Sequence, residues 1–158
     1  MSEYTIALKL PNYLKEWFVH THGGEEPVHL IKDSAESNIV QMFLRKQPET
    51  SESRPGCNVS IYIPTFKAID VRTYNYMTPT AVRVLESCIY NTFKVQMWKE
   101  LHTLDRSGAE LRFCILAFME KHGISGVIGD ENWNSIYKTY YRTRKKYEKD
   151  RSEEGKKN

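Results

Sequence analysis

The run TPTAVRVLESCIYNTFKVQMWKEL, Thr78 to Leu101, decides how the chain is read. Val82, Leu85, Ile89, Phe93 and Met97 recur every three or four residues and so share one stripe of a helix, while Arg83, Glu86, Asn91 and Lys94 fall on the other side. Thr78 offers a hydroxyl to cap the first turn. Pro79 suits the first helical position, where a missing N–H leaves nothing unsatisfied. Carried to Leu101, this helix is about 35 Å long, enough to act as a central strut.

Downstream, Ser107 and Glu110 have the spacing of a capping box, and Gly123 after His122 closes the helix they open. Leu111, Phe113, Ile115, Leu116, Phe118 and Met119 lie on several sides of it, which predicts a buried helix. Ile124–Gly129 reads as a turn with Val127 and Ile128 free to pack. Asp130 then caps a last helix, with Glu131 favourable at its N-terminal dipole.

Upstream, Tyr4, Ile6, Leu8 and Leu10 alternate with Thr5, Ala7 and Lys9, the period-2 pattern of a strand with one buried face, ended by Pro11. Asn12–His22 reads as a short helix with Tyr13, Leu14, Trp17 and Phe18 inward, stopped by Gly23 and Gly24. Val28–Ile31 fits a short edge strand. Asp33 and Glu36 have capping-box spacing ahead of a helix that turns Ile39, Val40, Phe43 and Leu44 inward. Val59, Ile61 and Ile63 repeat the first strand's pattern and are closed by Pro64, 53 residues after Ile6, Leu8, Leu10 and Pro11. Phe66–Met77 is aromatic and irregular, an extended crossing segment with Tyr74 and Tyr76 on one side.

These patterns predict an α+β protein: a small N-terminal strand and helix part (residues 1–46) packed on a C-terminal three-helix bundle. The polar segment 47–56, with two prolines and a glycine, is the expected linker; 57–150 hold the second strand and the helical bundle; 151–158, without an apolar residue, are expected to be a disordered tail. The 158 residues, 40% hydrophobic and 27% charged, suit one soluble domain or two small ones that need no disulfide or metal staple. No apolar run approaches a membrane span of roughly 20 residues, and the N-terminus lacks a signal-peptide pattern. Cys57, Cys88 and Cys114 are odd in number and scattered, which argues for a reducing, cytoplasmic setting.

The net charge of +3 is modest, but it is unevenly placed. Lys138–Asn158 holds nine basic and four acidic residues, leaving the stretch at +5 and the rest of the chain at −2. On a helical wheel Trp133, Ile136, Tyr137, Tyr140 and Tyr147 gather on one arc; Lys138, Arg142, Lys145, Lys146 and Lys149 gather opposite, over about 100°. The aromatic stripe is expected to pin the helix to the body while the cations look outward. From Lys138 to Lys149 the basic ridge is roughly 17 Å long, matching a few successive phosphates of a nucleic-acid strand. The expected function is therefore non-enzymatic DNA binding, as a regulatory or accessory factor. The five cations would contact phosphates, duplex DNA is the favoured partner, and homodimerisation is compatible with it. Asn132, Asn134 and Ser135, at the helix start, are the candidate base readers. A solvated terminal helix with no ligand, or one that meets an acidic protein, has the same composition.

Thr78–Leu101, Ala109–His122 and Asp130–Lys149 resemble in outline a tri-helical helix-turn-helix domain over about the last 75 residues. The Gly123–Asp130 turn is about eight residues, longer than the family's three or four, which counts against direct major-groove insertion. The first strand with the two helices after it resembles the ribbon-helix-helix repressors, which would cast Thr5, Ala7 and Lys9 as readers; the inserted Gly24–Lys32 departs from that family's short turn. The run NWNSIYKTYYRTRKKY, Asn132 to Tyr147, also resembles small uncharacterised proteins encoded on bacterial mobile elements, which implies a DNA-linked role. The competing class is a protein–protein adaptor or structural subunit with an aromatic surface made by Tyr62, Phe66, Tyr74 and Tyr76.

Signs of catalysis are few, and neither an enzyme activity nor a cofactor is expected. His20, His22 and His29 form the only local histidine group, but positions i and i+2 face different sides of a helix and no cysteine is near, so no metal site is expected. The cysteines form no C-x-x-C, and neither phosphate-binding glycine loop nor nucleophile elbow occurs. Tyr140 and Tyr141, followed by Arg142 and Arg144, resemble the tyrosine nucleophiles of strand-cleaving enzymes, but lack the surrounding histidine and arginine cluster.

Overall fold

The two proline-terminated strands find each other. In the computed structural model, which describes residues 4–50 and 54–156, β1 (Thr5–Leu8) pairs antiparallel with β3 (Val59–Tyr62), Ile6 opposite Ile61 and Leu8 opposite Val59. Their inward residues are buried, as the alternation requires. Beyond the last strand pair, Asn58 extends the ladder with its side chain: Oδ1 accepts the Leu10 N–H at 3.1 Å and Nδ2 donates to the Leu10 carbonyl at 2.7 Å. The expected edge strand at Val28–Ile31 shrinks to one bridge. Val28 lies parallel to Ile61, donating to the Ser60 carbonyl and accepting from the Tyr62 N–H.

Helix α1 (Asn12–Thr21) follows Pro11 and buries Tyr13, Leu14, Trp17 and Phe18; Gly23 and Gly24 then take positive φ and turn the chain away. Helix α2 (Ala35–Phe43) is capped by Ser34, whose Oγ accepts the Ser37 N–H at 3.2 Å. The expected cap, Asp33, adopts a φ of 61° and is therefore outside the extended conformation that a capping residue needs, so the start moves by one. A second, smaller antiparallel pair joins β2 (Arg45–Lys46) to β4 (Tyr74–Tyr76).

Helix α3 (Pro79–Arg106) begins as expected, with Thr78 Oγ1 accepting the Ala81 N–H at 3.1 Å, but runs five residues past Leu101. That extension removes the capping box expected next. Ser107 Oγ donates to the Leu104 carbonyl and belongs to the end of α3, and Gly108 reverses the chain at a φ of 88°. Helix α4 (Leu111–Lys121) starts after Glu110 without a side-chain cap. It buries Cys114, Ile115, Phe118 and Met119 but leaves Phe113 exposed, so it is amphipathic rather than enclosed. Helix α5 (Glu131–Lys156) is capped by Asp130 and remains helical through 151–156, where a disordered tail was expected. Lysine, arginine and glutamate propagate a helix well enough without apolar contacts. Residues 157 and 158 lie outside the described residues.

Among the described residues the protein is thus mixed α+β with a helical majority: five helices and two two-stranded antiparallel sheets. The chain divides into two compact units, Met1–Thr92 and Phe93–Asn158. The 47–56 segment lies within the first unit, joining β2 to β3, whose partner β1 precedes it. Unit 1 also holds the ion pair that ties down its linker: Arg54 makes two bonds to the Glu86 carboxylate at 2.8 and 2.9 Å, and the Lys9 N–H donates to the same group at 2.7 Å. No helix among the described residues is long and apolar enough to cross a membrane.

Candidate nucleic-acid interface

The last helix is set by its cap. Asp130 Oδ1 accepts the Trp133 N–H and Oδ2 accepts the Val127 N–H, both at 2.9 Å, so one carboxylate fixes both the turn and the helix start. Gly126, with a φ of 140°, leaves room for that carboxylate, which a Cβ there would overlap. Along α5, Asn132, Ile136, Thr139 and Tyr140 are buried. Ile136 and Tyr140 are fully buried, and Ile115, Phe118 and Met119 of the same unit are buried too.

Tyr140 anchors the helix chemically as well. Its hydroxyl donates to Asp105 Oδ2 at 3.0 Å, and Arg144 meets the same oxygen at 3.2 Å while bonding Glu148 one turn on. Burial first, then the Asp105 carboxylate, pushes the Tyr140 phenol well above its usual range, which favours the protonated form that donates this bond. Next to it Trp98 stacks on His102 at 4.4 Å and meets Tyr140 and Tyr147 at 5.5 and 5.2 Å. This aromatic seat on α3 was invisible in the sequence, where Trp98 and His102 belong to no motif.

The five basic residues are placed as a set. Lys138, Arg142, Lys145, Lys146 and Lys149 are all exposed, and none has an ion-pair partner among the described residues. Lys145 instead rests over the Tyr141 ring, 4.7 Å from its centroid. Four acidic groups of the unit are engaged elsewhere: Glu100 with Lys121 and with His122 at 2.6 Å, Asp105 and Glu148 with Arg144, Glu110 with Arg112. Burial pushes the Glu100 carboxyl up, but the hydrogen bonds from Lys121 and His122 outweigh it and hold the group below its ordinary value.

Asn132, Asn134 and Ser135, the candidate base readers, serve their own backbone. Asn132 is buried and donates to the Ser125 carbonyl at 2.9 Å, Asn134 donates to Gly129 at 2.8 Å, and Ser135 to Glu131 at 2.9 Å. Of the four aromatic residues weighed for an adaptor surface, Tyr74 is exposed and Tyr62, Phe66 and Tyr76 are half-buried; Tyr62 stacks on His29 and Lys46 lies over Tyr74. Thr5 and Ala7 of β1 lie in the pair with β3 of the same chain.

The chain matches no family model, no curated protein and no solved structure. The resemblances to helix-turn-helix, ribbon-helix-helix and mobile-element proteins therefore rest on sequence pattern alone.

His22 is buried with its Nδ1 accepting the Ile31 N–H at 3.0 Å, and its ring meets Phe18 at 4.8 Å in a tilted contact. No group of three or more His, Cys, Asp or Glu among the described residues is arranged to hold a metal ion. Burial pushes the Cys88 and Cys114 thiols up, away from the thiolate that nucleophilic chemistry requires. Cys57 Sγ donates to the Arg54 carbonyl at 3.4 Å.

Proposed function

We propose that the protein is a non-enzymatic DNA-binding factor that grips phosphates with the outward face of α5, through Lys138, Arg142, Lys145, Lys146 and Lys149. One observation carries this reading. Five cations share one face of a pinned helix, and no carboxylate neutralises any of them among the described residues. A merely solvated helix gains from interleaved acids at i+4 spacing, as Arg144 and Glu148 show on the flank. Between Lys138 and Lys149 the basic arc itself holds no acid, and Asp150 and Glu153, at i+4 from Lys146 and Lys149, make no ion pair with them, which suits a partner that brings its own negative charge. In the same reading, the later half of α3 with α4 and α5 is a tri-helical scaffold for the binding face, and base reading by Asn132, Asn134 and Ser135 is not invoked, since each side chain already donates a hydrogen bond to a nearby carbonyl.

Titrating labelled DNA at several salt concentrations tests it. Neutralising about four phosphates gives a slope of log K against log salt near −3.6 on a duplex, or near −2.8 on a single strand. The double variant Lys145→Glu/Lys146→Glu loses binding to both. A flat salt response, or no retention of either form of DNA at low salt, overturns the reading.

A further inference from the structure

Beside the basic face lies a feature that phosphate binding does not use. Trp133, Tyr137 and Tyr141 follow one another at i+4 spacing along α5, their rings close to parallel: 5.2 Å and 8° for the first pair, 6.2 Å and 10° for the second. The ladder ends under the Lys145 ammonium. Aromatic rings on a helix are ordinarily turned to the core, yet Tyr137 is 38% exposed and Tyr141 45%. Trp133 is held at the foot of the ladder, its Nε1–H donating to the Arg112 carbonyl at 3.3 Å. Adjacent in sequence, Phe113 is 53% exposed beneath the Arg112 guanidinium. On the wheel the ladder drifts by about 40° per step from the buried side toward Lys138, Arg142 and Lys145. Exposed rings therefore run directly along one border of the cations.

We propose that the DNA taken by α5 is single-stranded, with unpaired bases stacked on Tyr137 and Tyr141 while the phosphates follow Lys138, Arg142 and Lys145. This rests on the phosphate-binding reading above and adds the state of the strand. A duplex presents phosphates and groove edges but hides the base faces, so exposed rings have nothing in it to stack on; a single strand offers a π-face at every nucleotide. Because stacking accepts any base, the site binds without reading sequence, in keeping with the local use of the asparagines at the helix start.

Fluorescence anisotropy with the full chain, a labelled 20-nucleotide oligothymidine, a 20-base-pair duplex and a 20-nucleotide oligouridine distinguishes the outcomes. The wild type is expected to bind oligothymidine at least about tenfold more tightly than the duplex. The variant Tyr137→Leu/Tyr141→Leu, checked for wild-type helicity and melting, is expected to lose roughly tenfold or more on oligothymidine and less than about twofold on the duplex. Equal or tighter duplex binding with an inert ladder variant overturns this inference and leaves phosphate binding standing. Preference for oligouridine over oligothymidine overturns the assignment to DNA. Failure to bind any of the three, at low salt, removes both.

Discussion

His22 holds its loop by accepting the Ile31 N–H, which only the neutral imidazole can do. Burial lowers its pKa from the ordinary 6.5, partly offset by the Glu36 carboxylate. Above pH 6.5 the folded and unfolded chains are alike in leaving the ring neutral. As pH falls below that value the unfolded chain gains the proton first, so stability drops until the folded pKa is also passed. Urea titrations between pH 7 and 5 should therefore show a loss that the His22→Gln variant lacks; superimposable profiles would remove His22 as its source. Tyr140→Phe deletes the phenol's bond to Asp105 while Arg144 still partners that carboxylate. The expected cost is about 1 kcal/mol by urea unfolding, and Asp105→Ala, which strands the buried hydroxyl and leaves Arg144 with Glu148 alone, should cost more.

At the scale of elements, caps and glycines explain which boundaries were legible. The Thr78–Pro79 start of α3 and the Asp130 start of α5 stand where the local chemistry placed them. Two capping boxes did not form as read, because competing groups were already committed: Asp33 to a left-handed turn, Ser107 to the last turn of a longer α3. Sequence spacing registers the possibility of a cap but not where the preceding helix stops. Asp130→Ala removes acceptors from two backbone N–H groups and is expected to cost about 1–2 kcal/mol. Gly126→Ala should be destabilising in the same unit, since its Cβ would overlap the Asp130 carboxylate at a φ that disfavours any side chain. Circular dichroism melts of the two variants check both; an unperturbed Gly126→Ala would mean that the turn is held by other contacts.

For the whole molecule, charge placement separates stability from binding. Lys145→Glu/Lys146→Glu breaks no ion pair, only the contact of Lys145 with Tyr141, so its stability should stay within about 1 kcal/mol of wild type while DNA affinity collapses. A variant that melts far lower would show that the basic face supports the fold. The pairing of β1 with β3 is another whole-molecule fact: both strands and their inward residues were legible from alternation, but nothing local says that Ile6 meets Ile61 across 55 residues. The boundary at Thr92–Phe93 left no trace in composition because it falls inside a continuous helix.

Periodicity, proline and glycine positions, and the basic run at the C-terminus were enough to locate the helices, the two proline-ended strands and the cationic face, because each depends on neighbours within a few residues. Which aromatic rings of α5 are covered depended on the partners across the unit. The sequence reading turned Tyr137 inward on grounds of hydrophobicity. In the fold the buried arc is centred instead on Asn132, Ile136, Thr139 and Tyr140, since Asn132 and Thr139 find carbonyl acceptors at Ser125 and Ser135 and so can be buried without penalty. That rotation leaves the ring ladder in solvent. Packing against the rest of the unit, which no wheel can display, decided which face of the helix is free.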